Sequence, residues 1–449
     1  PDPTPPRPER TRSLADLDEA DFRILPAVFG ALTVLLVLLF RGFLPDSALV
    51  FSSFLLAFSP FMVFFSRTYI QESLLVFFTV AAFGCWLRGW KGTAFLALGL
   101  AACCKETWIL AVLAALPFRR RFRPVPLLAF VSFFLPCLLL YSSFLSHPRG
   151  LLDAFMGYFQ GWNRLTGGTD HDHGFFYYFS TLQWEIPILA LGLIPAFSTV
   201  WDPAGGQAPY LNRSPSPLGT SPRGSADFPL HLTIATLLLS LLYSLIPYKT
   251  PWCFLTAWAF WILLAGLGFS RLPRGGRILA MLAAGHLGYV CRDLNFIRPS
   301  SPLNPYAYAA TSPDLKKLAA RMEALAAASP EGRSLLVKVY GPSIWPLPWT
   351  LRGFSRVGYW PAAGQDDDAP VVISRIEEEP ALESSLKGEY QVEHYALRQG
   401  VLLRLRIRRA LWDRLRGNAT PSGGNAKSQT PPPGQPRSKP SGQSQQAGP

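Results

Sequence analysis

The stretch SPFMVFFSRTYIQESLLVFFTVAAFGCWLRGWKGTAFLALGLAACCKETWILAVLAALPFRRRFR, residues 59–123, decides the fold. It is apolar enough to lie in a bilayer, yet it carries Arg67, Glu72, Lys105 and Glu106 among its apolar runs. A charge at the centre of a membrane helix costs about 2.5–3.5 kcal/mol on insertion scales, so these four need a reason. The polar cluster 66–72 separates two apolar runs of roughly 18 residues, each long enough for one span, which sets it at a membrane surface. The next polar break, Arg88-Gly89-Trp90-Lys91, is basic and falls on the opposite, cytoplasmic side, as should the basic block 119–123. A single crossing between those two blocks would strand one of them on the wrong side. Residues 93–118 therefore read as a hairpin of two short helices that turns at Lys105-Glu106. The turn carries Lys105 and Glu106 to the face that holds Arg67, Tyr69 and Glu72. Each arm, about 12 residues or roughly 18 Å, is shorter than a hydrocarbon core of about 30 Å, which predicts a turn sunk into a cavity below the outer surface.

Outward from this stretch, a first span is expected at 22–40, closed by Arg41, and a second at 47–65, with a third at 73–87 after the cluster. Beyond the hairpin, spans read at 125–145, 175–200, 230–246, 254–269 and 278–290. The polar loop 147–174 and the turn Tyr248-Lys249-Thr250-Pro251-Trp252 fall outside. The Pro, Gly, Ser and Arg-rich loop 201–227 and Arg271, Arg274 and Arg277 fall inside. With the hairpin, Arg41, Arg88, Lys91, the block 119–123 and Arg271 to Arg277 share one side, and without it the charge rule fails.

Composition agrees with a membrane class: 449 residues, 49% hydrophobic and 13% aromatic, with Phe used 32 times. The net charge of +13 sits largely in short loops beside apolar runs and in the C-terminal third, so it orients the chain in a membrane and does not point to nucleic acid. The six cysteines lie in apolar segments without CxxC spacing and read as buried small side chains. The chain opens at Pro1, in a Pro/Arg-rich stretch without a signal peptide, and a missing upstream segment is expected.

From about Arg292 the pattern changes. Ser312 as N-cap and Pro313 open a helix over 314–328, 335–340 and 371–376 read as buried strands, and 390–397 with 401–407 as a hairpin in which Leu and Arg alternate. Residues 411–415 suggest a short basic interfacial helix, and 418–449 a disordered tail. The division is thus a polar lead 1–21, a membrane domain 22–292, an outer α/β domain 293–410, and a helix and tail 411–449. The fold class is an α-helical polytopic membrane protein with a small C-terminal soluble α/β domain.

An anionic headgroup, a lipid phosphate above all, suits Arg67 and Lys105, which offer charge-assisted hydrogen bonds. The same residues also read as structural pairs, Arg67 with Glu72 and Lys105 with Glu106. Lys249 beside Trp252 reads as a phosphate ligand or as an interfacial anchor. His171 and His173 are candidates for a divalent metal or a proton relay, or are simply residues of a polar loop. Glu185, in the outer half of a span, is expected to face the cavity. The acidic runs 366–368 and 377–379 read as solvated surface. No P-loop, GxGxxG, GxSxG or HExxH is present, so ATP-driven transport and serine or zinc hydrolysis find no support.

In order, Ser66-Arg67-Thr68-Tyr69-Ile70-Gln71-Glu72, Cys104-Lys105-Glu106-Thr107, Tyr248-Lys249-Thr250-Pro251-Trp252, Asn304-Pro305-Tyr306-Ala307-Tyr308 with Thr311-Ser312-Pro313-Asp314, and Trp345-Pro346-Leu347-Pro348-Trp349 through Arg356-Val357-Gly358-Tyr359-Trp360 form a set. Across residues 22–407 the set resembles the flippase-activity-associated membrane proteins, within the glycosyltransferase family 39, or dolichyl-phosphate-mannose protein mannosyltransferase-like, superfamily. The resemblance implies a GT-C fold in the cytoplasmic (inner) membrane, an active site on its outer face, and a polyprenyl-phosphate-linked sugar as donor. In that reading Arg67, Tyr69, Lys105 and Lys249 bind the donor phosphate, and Glu72, Glu106 and Glu185 orient them or form an acidic pocket. Members of the superfamily also carry an acidic motif in the first outer loop. No such motif is recognised here: Asp16, Asp18, Glu19 and Asp21 stand where its tail would fall and are not taken as the base, so the catalytic residue stays unknown. The alternative is a non-catalytic accessory protein in lipid-linked sugar translocation or envelope assembly, and the acceptor is open in both readings.

Overall fold

The computed structural model describes residues 17–116, 125–164, 168, 171–201, 228–308, 310–364 and 367–419. The basic block 119–123, the loop 202–227 and the tail from 420 lie outside these residues, as do Asp16, Thr169, Asp170 and Asp366. The chain divides between Thr311 and Ser312 into two compact units.

The first unit opens with α1 (Glu19–Leu36), whose N-terminus is closed by a capping box: the Asp18 side chain accepts from the Asp21 N–H, and the Asp21 side chain from the Asp18 N–H. Two of the acids expected near a first outer loop are thus used to start a helix. A 3-10 turn carries this element on to Phe40, and its apolar side chains, Ile24, Leu25, Val28, Leu35 and Leu38 among them, stand exposed as lipid contact requires. α2 (Asp46–Phe58) and α3 (Pro60–Ser66) form one span bent by 55° at Ser59. The Pro60 ring permits no N–H at that point, and the Ser59 hydroxyl caps the second half by accepting from the Met62 N–H at 3.2 Å. α4 (Glu72–Leu87), α5 (Lys91–Cys104), α6 (Trp108–Ala114), α7 (Leu127–Tyr141), the amphipathic α8 (Gly150–Arg164), the short α9 (Tyr177–Thr181), α10 (Ile186–Trp201), α11 (Phe228–Leu245), α12 (Leu255–Arg271) and α13 (Arg274–Arg292) follow.

Among the described residues three stretches are long and apolar enough to cross a membrane, Glu19–Phe40, Phe228–Leu245 and Pro251–Arg271, and the bent pair makes a fourth. Glu72–Leu87, Lys91–Cys104, Leu127–Tyr141 and Gln183–Phe197 are shorter apolar helices, and the unit is that of an integral membrane protein. α12 is its axis, buried along its whole span. Lipid offers helices no hydrophobic drive to associate, so small residues must let backbones approach. At Gly266 a Cβ would lie 2.6 Å from the Ala48 carbonyl oxygen, and at Gly268 one would lie 1.9 Å from that of Leu191. The expected span 278–290 belongs to α13, which is amphipathic: Ala280, Ala284, Leu287 and Val290 face the bundle, while Ile278, Leu279, Met281 and Leu282 are exposed.

Of the basic residues expected on one side, Arg88 and Arg41 meet. Arg88 caps the end of the first span, its Nε donating to the Leu39 carbonyl at 2.9 Å and its Nη2 to that of Arg41 at 2.8 Å. At that same end Phe269 of α12 stacks on Phe51 of α2 with centroids 4.0 Å apart. The hairpin is present too, though its arms are unequal: 14 residues in α5 and 7 in α6. Ala115 and Leu116, just past α6, line the same 240 Å³ cavity as Ala94 and Phe95 at the start of α5, so the chain has returned to the side it came from. α7 then runs alongside α5 in the same direction, Phe130 against Phe95 at one end and Tyr141 hydrogen-bonded to the Ala102 carbonyl at the other.

Residues 293–311, assigned on sequence to the outer domain, pack in the first unit. Tyr306 is fully buried against Phe61, Phe64 and Phe65, and Asn304 Nδ2 donates to the Leu294 carbonyl at 2.9 Å.

The second unit holds α14 (Asp314–Ala328), β1 (Val337–Tyr340), α15 (Leu347–Thr350), β2 (Val357–Trp360), β3 (Val371–Arg375), α16 (Glu379–Ser385), β4 (Tyr390–Arg398), β5 (Val401–Arg408) and α17 (Arg409–Ala419). The strand order is β2-β1-β3-β5-β4, with β1 parallel to both neighbours and β5 antiparallel to β3 and β4. Period-2 alternation sends Val337, Val339, Val371, Ile373, Leu403 and Leu405 to one face, against Leu318, Met322 and Leu325 of α14. β2 is a strand that sequence reading missed. α17, expected as an interfacial helix, is packed instead: Leu411 is buried in this core and Trp412 and Leu415 lie against it.

Candidate functional site

The hairpin turn and the end of α3 bring ionic side chains to one end of the first unit, where the polar cluster 66–72, the start of α4 and the turn before α12 converge. Glu72 is the first residue of α4, a position where a helix N-terminus favours an acid. Its Oε1 accepts from Lys105 Nζ at 2.7 Å, with the two side chains only 3% and 13% exposed. Lys105 Nζ also reaches Cys253 Sγ at 3.4 Å, and Cys253 in turn meets the Thr250 hydroxyl at 3.2 Å. Glu72 Oε2 is buried and has no hydrogen-bond partner among the described residues. Sequence reading thus placed Lys105 and Glu72 on the same surface, and the structure pairs them with each other. Helix rotation decides the pairing: Arg67 turns away from Glu72, and Glu106 lies against α8, where a Cβ at Gly161 would be 3.6 Å from its carboxyl carbon.

Arg67 ends α3, donates to the Asn295 carbonyl, and lays its guanidinium 4.2 Å from the Phe296 ring centroid. Asn295 sits in a π-helical turn (Asp293–Ile297) and spends its own amide on the Pro60 carbonyl at 3.1 Å, tying that turn to the kink. Arg67 nonetheless stays exposed, so it can meet an anion. Tyr69 is 65% exposed, its ring edge-on to Phe22 at 5.4 Å.

Lys249 is 1% exposed and donates to two carbonyls, His173 at 2.8 Å and Ile246 at 2.5 Å. Its backbone N–H reaches the His171 carbonyl at 2.9 Å, so the loop carrying the histidines is bound to the start of α12. The two imidazoles diverge. His171 Nδ1 meets the Tyr308 hydroxyl at 2.5 Å, whereas His173 stacks on Tyr177 with centroids 4.1 Å apart. Among the described residues no three His, Cys, Asp or Glu side chains cluster as metal ligands.

Glu185 does not face a cavity. It is fully buried: Ser59 Oγ donates to both carboxylate oxygens at 2.8 Å, the Phe61 N–H to Oε1 at 2.6 Å, and Trp258 Nε1 to Oε2 at 2.8 Å. It caps the second half of the bent span and ties it to α12. Cys253, Asn295 and Trp258 were not singled out on sequence. Only the Ser59-Pro60 pair, an N-cap followed by a first-turn proline, signalled that the span would break.

This arrangement of the chain is the GT-C glycosyltransferase fold. It is shared with ArnT from Cupriavidus metallidurans bound to undecaprenyl phosphate, at 15% identity over 87% of this chain and 84% of that one, with a TM-score of 0.55. ArnT from the same organism in the apo state matches at 12% identity over 85% and 83%, with a TM-score of 0.54. Residues 9–118 match the model of the family described as dolichyl-phosphate-mannose-protein mannosyltransferase. No curated protein matches the chain. Fold and family match together support the GT-C, mannosyltransferase-like superfamily that the motif set resembles.

Proposed function

We propose that the chain is a membrane glycosyltransferase that takes a sugar from a polyprenyl-phosphate-linked donor at the outer face of the cytoplasmic membrane, with its second unit on that side. The observation that carries this reading is Lys249, an almost fully buried ammonium whose hydrogen bonds go to two carbonyls, at the end of the unit that also holds Arg67. A buried cation calls for anions, of which the Asp172 carboxylate is one and a donor phosphate would be another. Lys105 is neutralised by Glu72 and holds the hairpin turn in place, and Lys249 has the Asp172 carboxylate near it, so Arg67, with Lys249 beside that acid, would be left to meet a phosphate. The undecaprenyl phosphate bound to ArnT, whose fold this chain shares, is an anion of the matching kind.

In the proposed reaction an acceptor oxygen attacks the anomeric carbon as the bond from that carbon to the phosphate oxygen breaks, with inversion. Charge accumulates on the departing phosphate, and pre-placed cations stabilise it more than they stabilise the donor. Tyr69, exposed two residues from Arg67 in sequence, would hydrogen-bond the phosphate, and Glu72 would hold Lys105 and with it the hairpin turn.

Purified protein in lipid nanodiscs, given radiolabelled polyprenyl-phosphate sugar and envelope extract, should transfer label. Arg67→Ala should weaken donor binding about 10- to 100-fold, as the loss of a charge-assisted bond of roughly 1.5–3 kcal/mol implies. Unchanged donor binding in both Arg67→Ala and Lys249→Ala would remove the site. The second reading is a non-catalytic partner in lipid-linked sugar handling. Donor binding without transfer would establish it.

A further inference from the structure

We propose that Cys103 and Cys137 are a disulfide-forming pair that fastens the first arm of the hairpin to α7. Their Sγ atoms are 3.8 Å apart, on helices that run side by side in the same direction, and both residues are half-buried. The two backbones approach closely one turn away. One turn before Cys103, a Cβ at Gly99 would lie 2.3 Å from the carbonyl oxygen of Phe133, itself one turn before Cys137. A helix pair in contact at 99 and 133 carries that contact forward by four residues in each partner to 103 and 137. A disulfide needs Cβ atoms about 3.5–4.5 Å apart and an S–S length of about 2.05 Å, and the two Sγ atoms already lie in contact at 3.8 Å. The surrounding bonds hold the register: Cys137 Sγ lies 3.6 Å from the Gly99 carbonyl, and the Tyr141 and Tyr158 hydroxyls both donate to the Ala102 carbonyl at 2.8 Å. Cys104 and Cys253 are placed otherwise, Cys253 at Lys105.

The oxidant is an external disulfide. One cysteine thiolate attacks it, forming a mixed disulfide and releasing the first thiol; the second cysteine thiolate then displaces the other half, so that two cysteine thiols become one S–S bond and the oxidant becomes two thiols. The product ties α5 to α7 two residues before Lys105, holding the arm from which that lysine projects. The inference stands on helix geometry and does not depend on the proposed sugar transfer.

The full chain, purified in detergent, is treated with 2-hydroxyethyl disulfide or with dithiothreitol, denatured, and labelled with a maleimide-polyethylene glycol. The oxidised sample should carry two adducts fewer than the reduced one, and digestion should yield the 103–137 linked peptide. Cys103→Ser and Cys137→Ser should each abolish the difference, while Cys104→Ser should keep it. Equal labelling of oxidised and reduced wild type, or a two-adduct loss that persists in Cys103→Ser, would overturn the pairing.

Discussion

In the first unit Lys105 and Glu72 meet at 2.7 Å with side chains 13% and 3% exposed, whereas in the second Arg333 and Glu323 meet at 3.1 Å with side chains 63% and 49% exposed. The bonds are alike in length and unlike in worth. Water screens the second pair and solvates either partner if the other is lost. Nothing solvates Glu72 among apolar helices, so the pair holds a turn that neither residue could hold alone. The membrane unit uses charge sparingly and at junctions: Lys105 at the hairpin turn, Glu185 at the break between α2 and α3, and Lys249 at the entry to α12. The second unit carries most of its charge on its surface, Asp367 and Arg406 excepted, and sorts its core by the alternation of its strands.

The largest effect that would break this contrast comes from separating the buried pair. Lys105→Met leaves Glu72 charged and unpaired, and should lower stability by about 3–5 kcal/mol, read as a large fall in Tm in detergent. Adding Glu72→Leu should restore most of that loss. A single variant as stable as the double would show that the pair is solvated after all. Next in size is Glu185→Gln, which keeps the shape but replaces a carboxylate by a neutral acceptor for Ser59, the Phe61 N–H and Trp258. We expect about 1–3 kcal/mol of destabilisation with donor affinity unchanged, measured by thermal unfolding beside donor binding. A selective loss of donor binding would return Glu185 to the site.

The same contrast separates what was legible in the sequence from what was not. Apolar runs and their basic punctuation report depth and side, which are properties of segments, and from them the hairpin at Lys105 could be derived. Which side chain Lys105 takes depends on how α4 and α5 rotate about their axes, and two carboxylates, Glu72 and Glu106, were available on the same face. The destination of Glu185 was less accessible still, because its partners Ser59 and Phe61 are distant in the chain and are exposed as donors only once the span breaks at Pro60. In the second unit the long hairpin β4–β5 was plain from its Leu/Arg alternation. β2 was not: Val357-Gly358-Tyr359-Trp360 is four residues long with a glycine in it, and it becomes a strand by pairing with β1. α17 carries Leu411, Trp412 and Leu415 among arginines, a pattern that suits a membrane interface or a protein core equally, and α14 supplies the core.

A smaller effect tests the second unit through acid. Asp367 is 2% exposed, and burial alone would raise its pKa. The Ser385 hydroxyl at 2.5 Å and the Gly364 N–H at 3.0 Å more than offset burial and hold it below the ordinary carboxylate value. A depressed carboxylate adds stability that is present above its unfolded pKa, about 3.9, and lost as pH falls through the folded value. Wild-type stability should therefore drop below about pH 4, and Asp367→Asn should flatten that acid limb while lowering stability at neutral pH. An unchanged acid limb would mean that the carboxylate does not titrate with folding.

The smallest effect completes the comparison. Glu323→Ala removes the partner of Arg333 from a pair joined by two bonds, at 3.1 Å from both Nε and Nη2. If hydrogen-bond geometry set the energy, this loss would rival that of Lys105→Met. If solvent exposure sets it, the cost is at most about 1 kcal/mol and shrinks further in high salt, because both groups find water when parted. Thermal unfolding of Glu323→Ala at low and high ionic strength decides between these, and a loss above about 2 kcal/mol that salt does not diminish would show that the second unit, too, depends on individual ion pairs for its stability.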